Sequence, residues 1–127
     1  MIRALALCLL ASPAQAETPM SGAEFEAYTT GKTLSFGTPG NPDFGTERYL
    51  PGRRVLWSTE PGLCTEGKWY ARDGLICFVY RGDPEHKCWT VTRTEAGIRA
   101  DFANVPDSTI LFEAQETKPL ICGDLLS

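Results

Sequence analysis

The sequence predicts a mainly β fold. A short N-terminal helix leads into an antiparallel meander of about eight strands, closed as a small barrel or folded as a strongly bent sheet, and braced by two disulfides. Three observations carry this expectation. After Gly31 the apolar pattern changes from a helical period to a period of two. Turn chemistry then recurs along the whole chain, as Pro51-Gly52, Pro61-Gly62, Asp73-Gly74, Gly82-Asp83-Pro84, Ala96-Gly97 and Asn104–Asp107. Finally, Cys64, Cys77, Cys88 and Cys122 form an even set behind a leader with the layout of an export signal.

That leader is MIRALALCLLASPAQA. Arg3 precedes an apolar run from Ala4 to Ala11, Ser12-Pro13 breaks it, and Ala14-Gln15-Ala16 offers small residues before Glu17. This is a secretory signal with cleavage expected after Ala16; the run is far shorter than the roughly 20 residues of a spanning helix. Cys8 as a lipoprotein cysteine fits poorly, because Leu7 stands where a small residue is wanted. The expected organisation is therefore residues 1–16 as signal peptide and 17–127 as one β-rich domain, exported to the periplasm or the extracellular space. The chain carries a net charge of −4, one unit more negative once Arg3 is removed. Such a domain is no electrostatic match for nucleic acid or an anionic membrane surface. No segment after residue 16 is apolar enough to span a bilayer.

Ser21-Gly22-Ala23-Glu24 is a capping box, with Ser21 as N-cap and Glu24 as its reciprocal partner, and Met20 and Phe25 are placed as a hydrophobic staple. The helix should end at Thr29 or Thr30 against Gly31. Leu34 and Phe36 begin the alternating pattern, and FGTPGNPDFG (Phe36–Gly45) reads as a Gly/Pro-rich loop. The expected strands that follow are Thr46–Leu50, Arg53–Ser58, Lys68–Ala71, Leu75–Arg81, Lys87–Arg93, Ile98–Phe102 and Thr109–Ala114. Their connections are mostly tight, which forces neighbours to run antiparallel. Closure removes the sheet edges. The apolar inventory, from Leu34 and Phe36 through Trp57, Trp69, Phe78 and Trp89 to Phe102, Ile110 and Phe112, suffices to fill a small barrel and weighs against a large empty pocket.

Four cysteines allow three pairings. Asp73-Gly74 as a two-residue hairpin turn sets Arg72 opposite Leu75, Tyr70 opposite Cys77 and Trp69 opposite Phe78. The next turn brings Cys88 back beside Cys77. This favours Cys77–Cys88 as the local bridge and leaves Cys64–Cys122 as the long-range one. A metal site is not expected: the spacings C-x12-C and C-x10-C lack the close ligand pairs of zinc sites, and His86-Lys87-Cys88 is only H-x-C.

Catalytic chemistry is not expected either. The chain has a single histidine, His86, in a charged turn with no nucleophile elbow nearby. The acids Glu60, Glu66, Asp73, Asp83, Glu85, Glu95 and Asp101 sit mostly at turns, and none forms an evident pair. No cofactor is called for. The candidate binding residues are Trp57, Trp69 and Trp89 on three different strands, with Tyr70 and Tyr80 beside them and Arg53 and Arg54 at a rim. The competing reading makes the tryptophans ordinary core residues. Of Arg53 and Arg54, which alternate along a strand, one should face inward or sit at the strand mouth and need a carboxylate or ligand.

The blocks S-G-A-E-F-E-A-Y-T-T-G-K-T-L, E-R-Y-L-P-G-R-R-V-L-W, C-T-E-G-K-W-Y, I-C-F-V-Y and C-W resemble a family of small, exported, cysteine-containing proteins of unknown function from Gram-negative bacteria. The resemblance implies a periplasmic location and the shared cysteines. It implies no activity and transfers no functional residue. The function expected is therefore a non-enzymatic periplasmic binding or accessory module of unknown ligand, its partner a small molecule or an envelope protein. The alternative is a protein–protein module, such as an inhibitor of a cell-envelope enzyme, presenting Phe36–Gly45 as an exposed loop.

Overall fold

The computed structural model describes residues 2–9 and 18–123; the expected cleavage after Ala16 lies outside them. Residues 2–9 belong to no helix or strand, and Ile2, Leu5, Leu7 and Leu9 are all exposed. Within the domain, α1 (Gly22–Thr29) precedes eight strands: β1 (Thr33–Thr38), β2 (Asn41–Leu50), β3 (Arg54–Glu60), β4 (Leu63–Arg72), β5 (Leu75–Tyr80), β6 (Lys87–Thr94), β7 (Gly97–Phe102) and β8 (Ile110–Glu113). Each strand pairs antiparallel with the next, and β8 returns to β1, so the sheet is a closed up-and-down barrel.

Local chemistry sets the helix. Ser21 Oγ accepts from the Glu24 N–H while Glu24 Oε1 accepts from the Ser21 N–H, and Gly31 past the C-terminus takes a φ of 83°. The helix is too short to persist alone. It holds because Phe25, 1% exposed, enters one end of the barrel as a plug. The Phe25 ring meets Tyr49, Trp69 and Phe78 edge-on, with centroids at 5.7, 4.9 and 6.2 Å. Outside the plug, Arg53 bonds Glu26 on the helix at 2.8 Å and lies over the Trp69 ring.

The expected hairpin at Asp73-Gly74 forms with both residues at positive φ, 49° and 77°, as a type I′ turn requires. Its register places Tyr70 opposite Cys77 and Trp69 opposite Phe78. Phe36–Gly45, expected as a loop, is instead most of a β1–β2 hairpin closed by Pro39-Gly40, with Thr38 opposite Asn41. Gly37 makes this possible: a Cβ there would stand 2.9 Å from the Pro42 carbonyl oxygen, so only glycine admits the approach. The register shifts between Phe36 and Thr38, which absorbs the irregularity. The fourth strand likewise starts earlier than Lys68, at Leu63.

Both bridges are the favoured ones, Cys64–Cys122 and Cys77–Cys88. Cys77 and Cys88 are direct cross-strand partners on the outer face of β5 and β6. The other bridge ends a strap. After β8, the chain crosses the outside of the barrel: the Ala114 N–H bonds the Ser35 carbonyl, the Lys118 N–H bonds Ser35 Oγ, and Gly62 N–H bonds the Ile121 carbonyl at 2.8 Å. Beneath it Ser35 and Thr46 are buried and share a 2.8 Å hydrogen bond. Two disulfides fit an oxidising compartment, and no helix among the described residues is long and apolar enough to cross a membrane.

The bridges span 58 and 11 residues, so the chain-entropy relation assigns about 4 kcal/mol to Cys64–Cys122 and about 3 kcal/mol to Cys77–Cys88. Urea unfolding followed by tryptophan fluorescence should show the Cys64→Ser/Cys122→Ser protein as the less stable of the two double variants. The reverse order would mean that the local bridge holds native packing beyond its loop entropy.

Candidate ligand-binding cavity

The plug occupies only one end of the barrel. Above Phe25 the interior holds a cavity of about 600 Å³ that opens between the turns at the other end. The expected filled core is thus corrected, and the reason lies in two inward-facing glycines. Gly67 stands opposite Tyr80, and a Cβ at Gly67 would lie 2.6 Å from the Tyr80 ring; one at Gly45 would lie 2.3 Å from the Trp57 ring. These two large rings therefore lie along the wall, over glycine backbone, instead of crossing the lumen.

Alternation along the strands selects the lining. Phe36 (β1), Glu47 and Tyr49 (β2), Trp57 (β3), Phe78 and Tyr80 (β5), Trp89 and Val91 (β6), Ile98, Ala100 and Phe102 (β7) and Leu111 (β8) all contribute. Phe44 tilts against Trp57 with centroids 6.0 Å apart, Trp89 against Phe102 at 4.8 Å, and Phe78 stacks on Tyr80 at 6.1 Å. The walls are thus aromatic and aliphatic, with one acid among them.

That acid is Glu47, 3% exposed. Tyr80 Oη donates to Glu47 Oε2 at 2.7 Å, and Tyr49 hydrogen-bonds the same carboxyl. Among the described residues no lysine, arginine or histidine pairs with it. Burial pushes the carboxyl up to about 8, against the two tyrosine hydrogen bonds, which favour the carboxylate. Glu47 is therefore largely a neutral acid at pH 7. The Tyr49 and Tyr80 phenols rise well above their ordinary value through burial and the neighbouring Glu47.

Charged residues collect at the mouth. Lys87 bonds Asp83 at 2.9 Å and reaches Glu85 at 3.4 Å; the bond to Lys87 lowers the Asp83 carboxyl, and the same bond raises the Lys87 ammonium. Arg81 points to Glu66 at 3.3 Å. Asn104 ties the two mouth loops together, accepting from the Cys88 N–H and donating to the His86 carbonyl at 2.7 Å.

The candidate binding residues divide. Trp57, Trp89 and Tyr80 line the cavity. Trp69 is buried under the plug, between Phe25 and Arg53. Tyr70 is on the outer face, its hydroxyl 2.7 Å from His86 Nδ1. Neither arginine faces the lumen: Arg53, with φ 59° in the turn before β3, finds its carboxylate in Glu26, and Arg54 is exposed and bonds the Pro51 carbonyl. No group of three metal-ligating side chains occurs among the described residues. Sequence reasoning missed Glu47. The signal was its parity with Tyr49, since both face β3 partners, Trp57 and Val55, on the inner side.

Compared with models of protein families, with curated proteins and with solved structures, the chain matches none.

Two predictions follow from this geometry. Glu47 has a raised folded value, so its contribution to stability is complete below about 4.5, its ordinary value, and is lost as pH rises through about 8. Glu24 and Asp83 are lowered, so their contributions vanish in the opposite sense, on acidification. Stability should peak near the carboxylate range and decline toward pH 8, by up to about 1.4 kcal/mol per pH unit; in Glu47→Gln the decline should flatten, as read by urea midpoints across pH. In Gly67→Ala the new methyl must displace the Tyr80 ring. Loss of about 1–3 kcal/mol, together with a Glu47 titration shifted in NMR spectra, is expected; an unmoved titration would show that the ring does not govern the acid.

Proposed function

We propose that this protein is a non-enzymatic periplasmic binding module that holds a small molecule inside its barrel. The cavity carries this reading. Its volume of about 600 Å³ sits within the range of roughly 300–1,000 Å³ common to small-molecule sites, and its mainly apolar walls with a few convergent polar groups match their usual make-up. Eight strands give an interior wide enough for one small ligand when side chains do not fill it. The leader and the disulfides support export, and the resemblance to exported proteins of Gram-negative bacteria supports the periplasm. The alternative, a protein–protein module built on Phe36–Gly45, has less support, because that segment is a paired hairpin with exposure concentrated at Pro39–Asp43.

A neutral apolar fluorophore such as Nile red should bind saturably, one per chain, and quench Trp57 and Trp89. Ala100→Phe, which projects a ring into the cavity, should weaken that binding by about tenfold or more while leaving the circular dichroism spectrum intact. Absence of saturable binding by the wild-type protein would refute the reading.

A further inference from the structure

The cavity's ligand class is legible in its charge pattern, given the binding function above. We propose that it takes an organic cation: a molecule with an apolar body and an ammonium group, the ammonium seated against Glu47 within the aromatic walls. Glu47 is a carboxyl at an inward position, and among the described residues its polar partners are two phenols. A ligand needing a neutral partner would be served by glutamine, which donates and accepts without the burial cost of an ionisable group. What a carboxyl adds in this place is the capacity to become an anion when a cation arrives. The walls point the same way, since the rings of Trp57, Trp89, Tyr80 and Phe44 line the same cavity as Glu47, and aromatic rings attract ammonium groups.

Among the described residues no unpaired base of the lining awaits an anionic ligand. The two basic residues of the lining, Arg81 and Lys87, lie at the mouth and are engaged by Glu66 and by Asp83 and Glu85. At the mouth Asp83 and Glu85 balance these two bases, and it is the negative charge of the chain as a whole that favours the approach of cations. Among the described residues a metal ion lacks ligands, because only one carboxyl stands inside.

Binding has a proton balance. The empty site holds Glu47 largely protonated at pH 7, with Tyr80 and Tyr49 as the titratable groups against it. An ammonium within hydrogen-bond distance favours the carboxylate, so the Glu47 proton passes to the solvent and the ligand keeps its own charge.

The test compares phenethylammonium, phenethyl alcohol and hydrocinnamate by isothermal titration calorimetry at pH 7, in buffers of different ionisation enthalpy. The ammonium should bind about tenfold or more tighter than the other two and release close to one proton per site. Glu47→Gln should abolish both the preference and the release. The wild-type preference among the three ligands stands by itself if that variant misfolds. Equal or tighter binding of the alcohol or the carboxylate overturns the cation assignment and leaves the cavity reading in place. Should none of the three bind while Nile red does, the assignment also falls; if Nile red fails too, the binding function falls with it.

Discussion

Closure of the sheet is the constraint on which everything else here depends, and its weakest place is the seam. Strands β1 and β8 meet through only two residue pairs, Phe36 with Glu113 and Gly37 with Phe112, whereas β4 and β5 share six. An open sheet of the same strands would expose two edges and lose its interior. The chain reinforces the seam from outside. The segment after β8 crosses β1, covers the Ser35–Thr46 pair, and is fastened to the start of β4 by Cys64–Cys122 and the Gly62–Cys122 bridge. The long-range disulfide thus locks the ring as well as shortening the unfolded chain. The plug closes the lower end by packing, and the strap secures the side by covalent chemistry.

Within the closed wall, the size of the interior is decided by where the large rings lie. A barrel of eight strands fills if its inward aromatics cross the lumen. Here the plug uses Phe25, Tyr49, Trp69 and Phe78 to fill one end densely, while Gly45 and Gly67 let Trp57 and Tyr80 lie flat at the other. The same arrangement aims Tyr80 at Glu47. Glycine placement therefore sets the cavity volume and positions its polar group at once, so a methyl added at Gly67 perturbs both.

The elements whose information is local were legible in the sequence. The capping box at Ser21–Glu24, the stop at Gly31, the Asp73-Gly74 register and the cysteine pairing that follows from it all depend on residues a few positions apart. What escaped depends on distant partners. The hairpin inside Phe36–Gly45 was hidden because Gly37, Pro39, Gly40 and Pro42 give a loop composition, and only the close approach of Gly37 to Pro42 turns them into a ladder. The empty interior was hidden for the same reason: composition counts ring volume, and it takes the register of β2 against β3 and of β4 against β5 to show that a glycine underlies each ring. Trp57, Trp89 and Tyr80 line one cavity, whereas Trp69 belongs to the plug, and Arg53 pairs with Glu26 on the helix that carries it.

Glu47 shows how the stability of this domain and its site are set against each other. A carboxyl surrounded by apolar walls and two phenols costs folding free energy at every pH where the unfolded chain would ionise it. An apolar residue would avoid that cost, and glutamine would keep the hydrogen bonds. The cost is tolerable because the disulfides, the plug and the closed ladder supply stability that does not titrate at neutral pH. A group destabilised in the empty protein is also the one with most to gain from a partner that restores its charge, since a ligand stabilises the fold in proportion to what it relieves. The buried acid thus links a stability that declines toward alkaline pH to the proposed preference of the cavity for a positively charged partner.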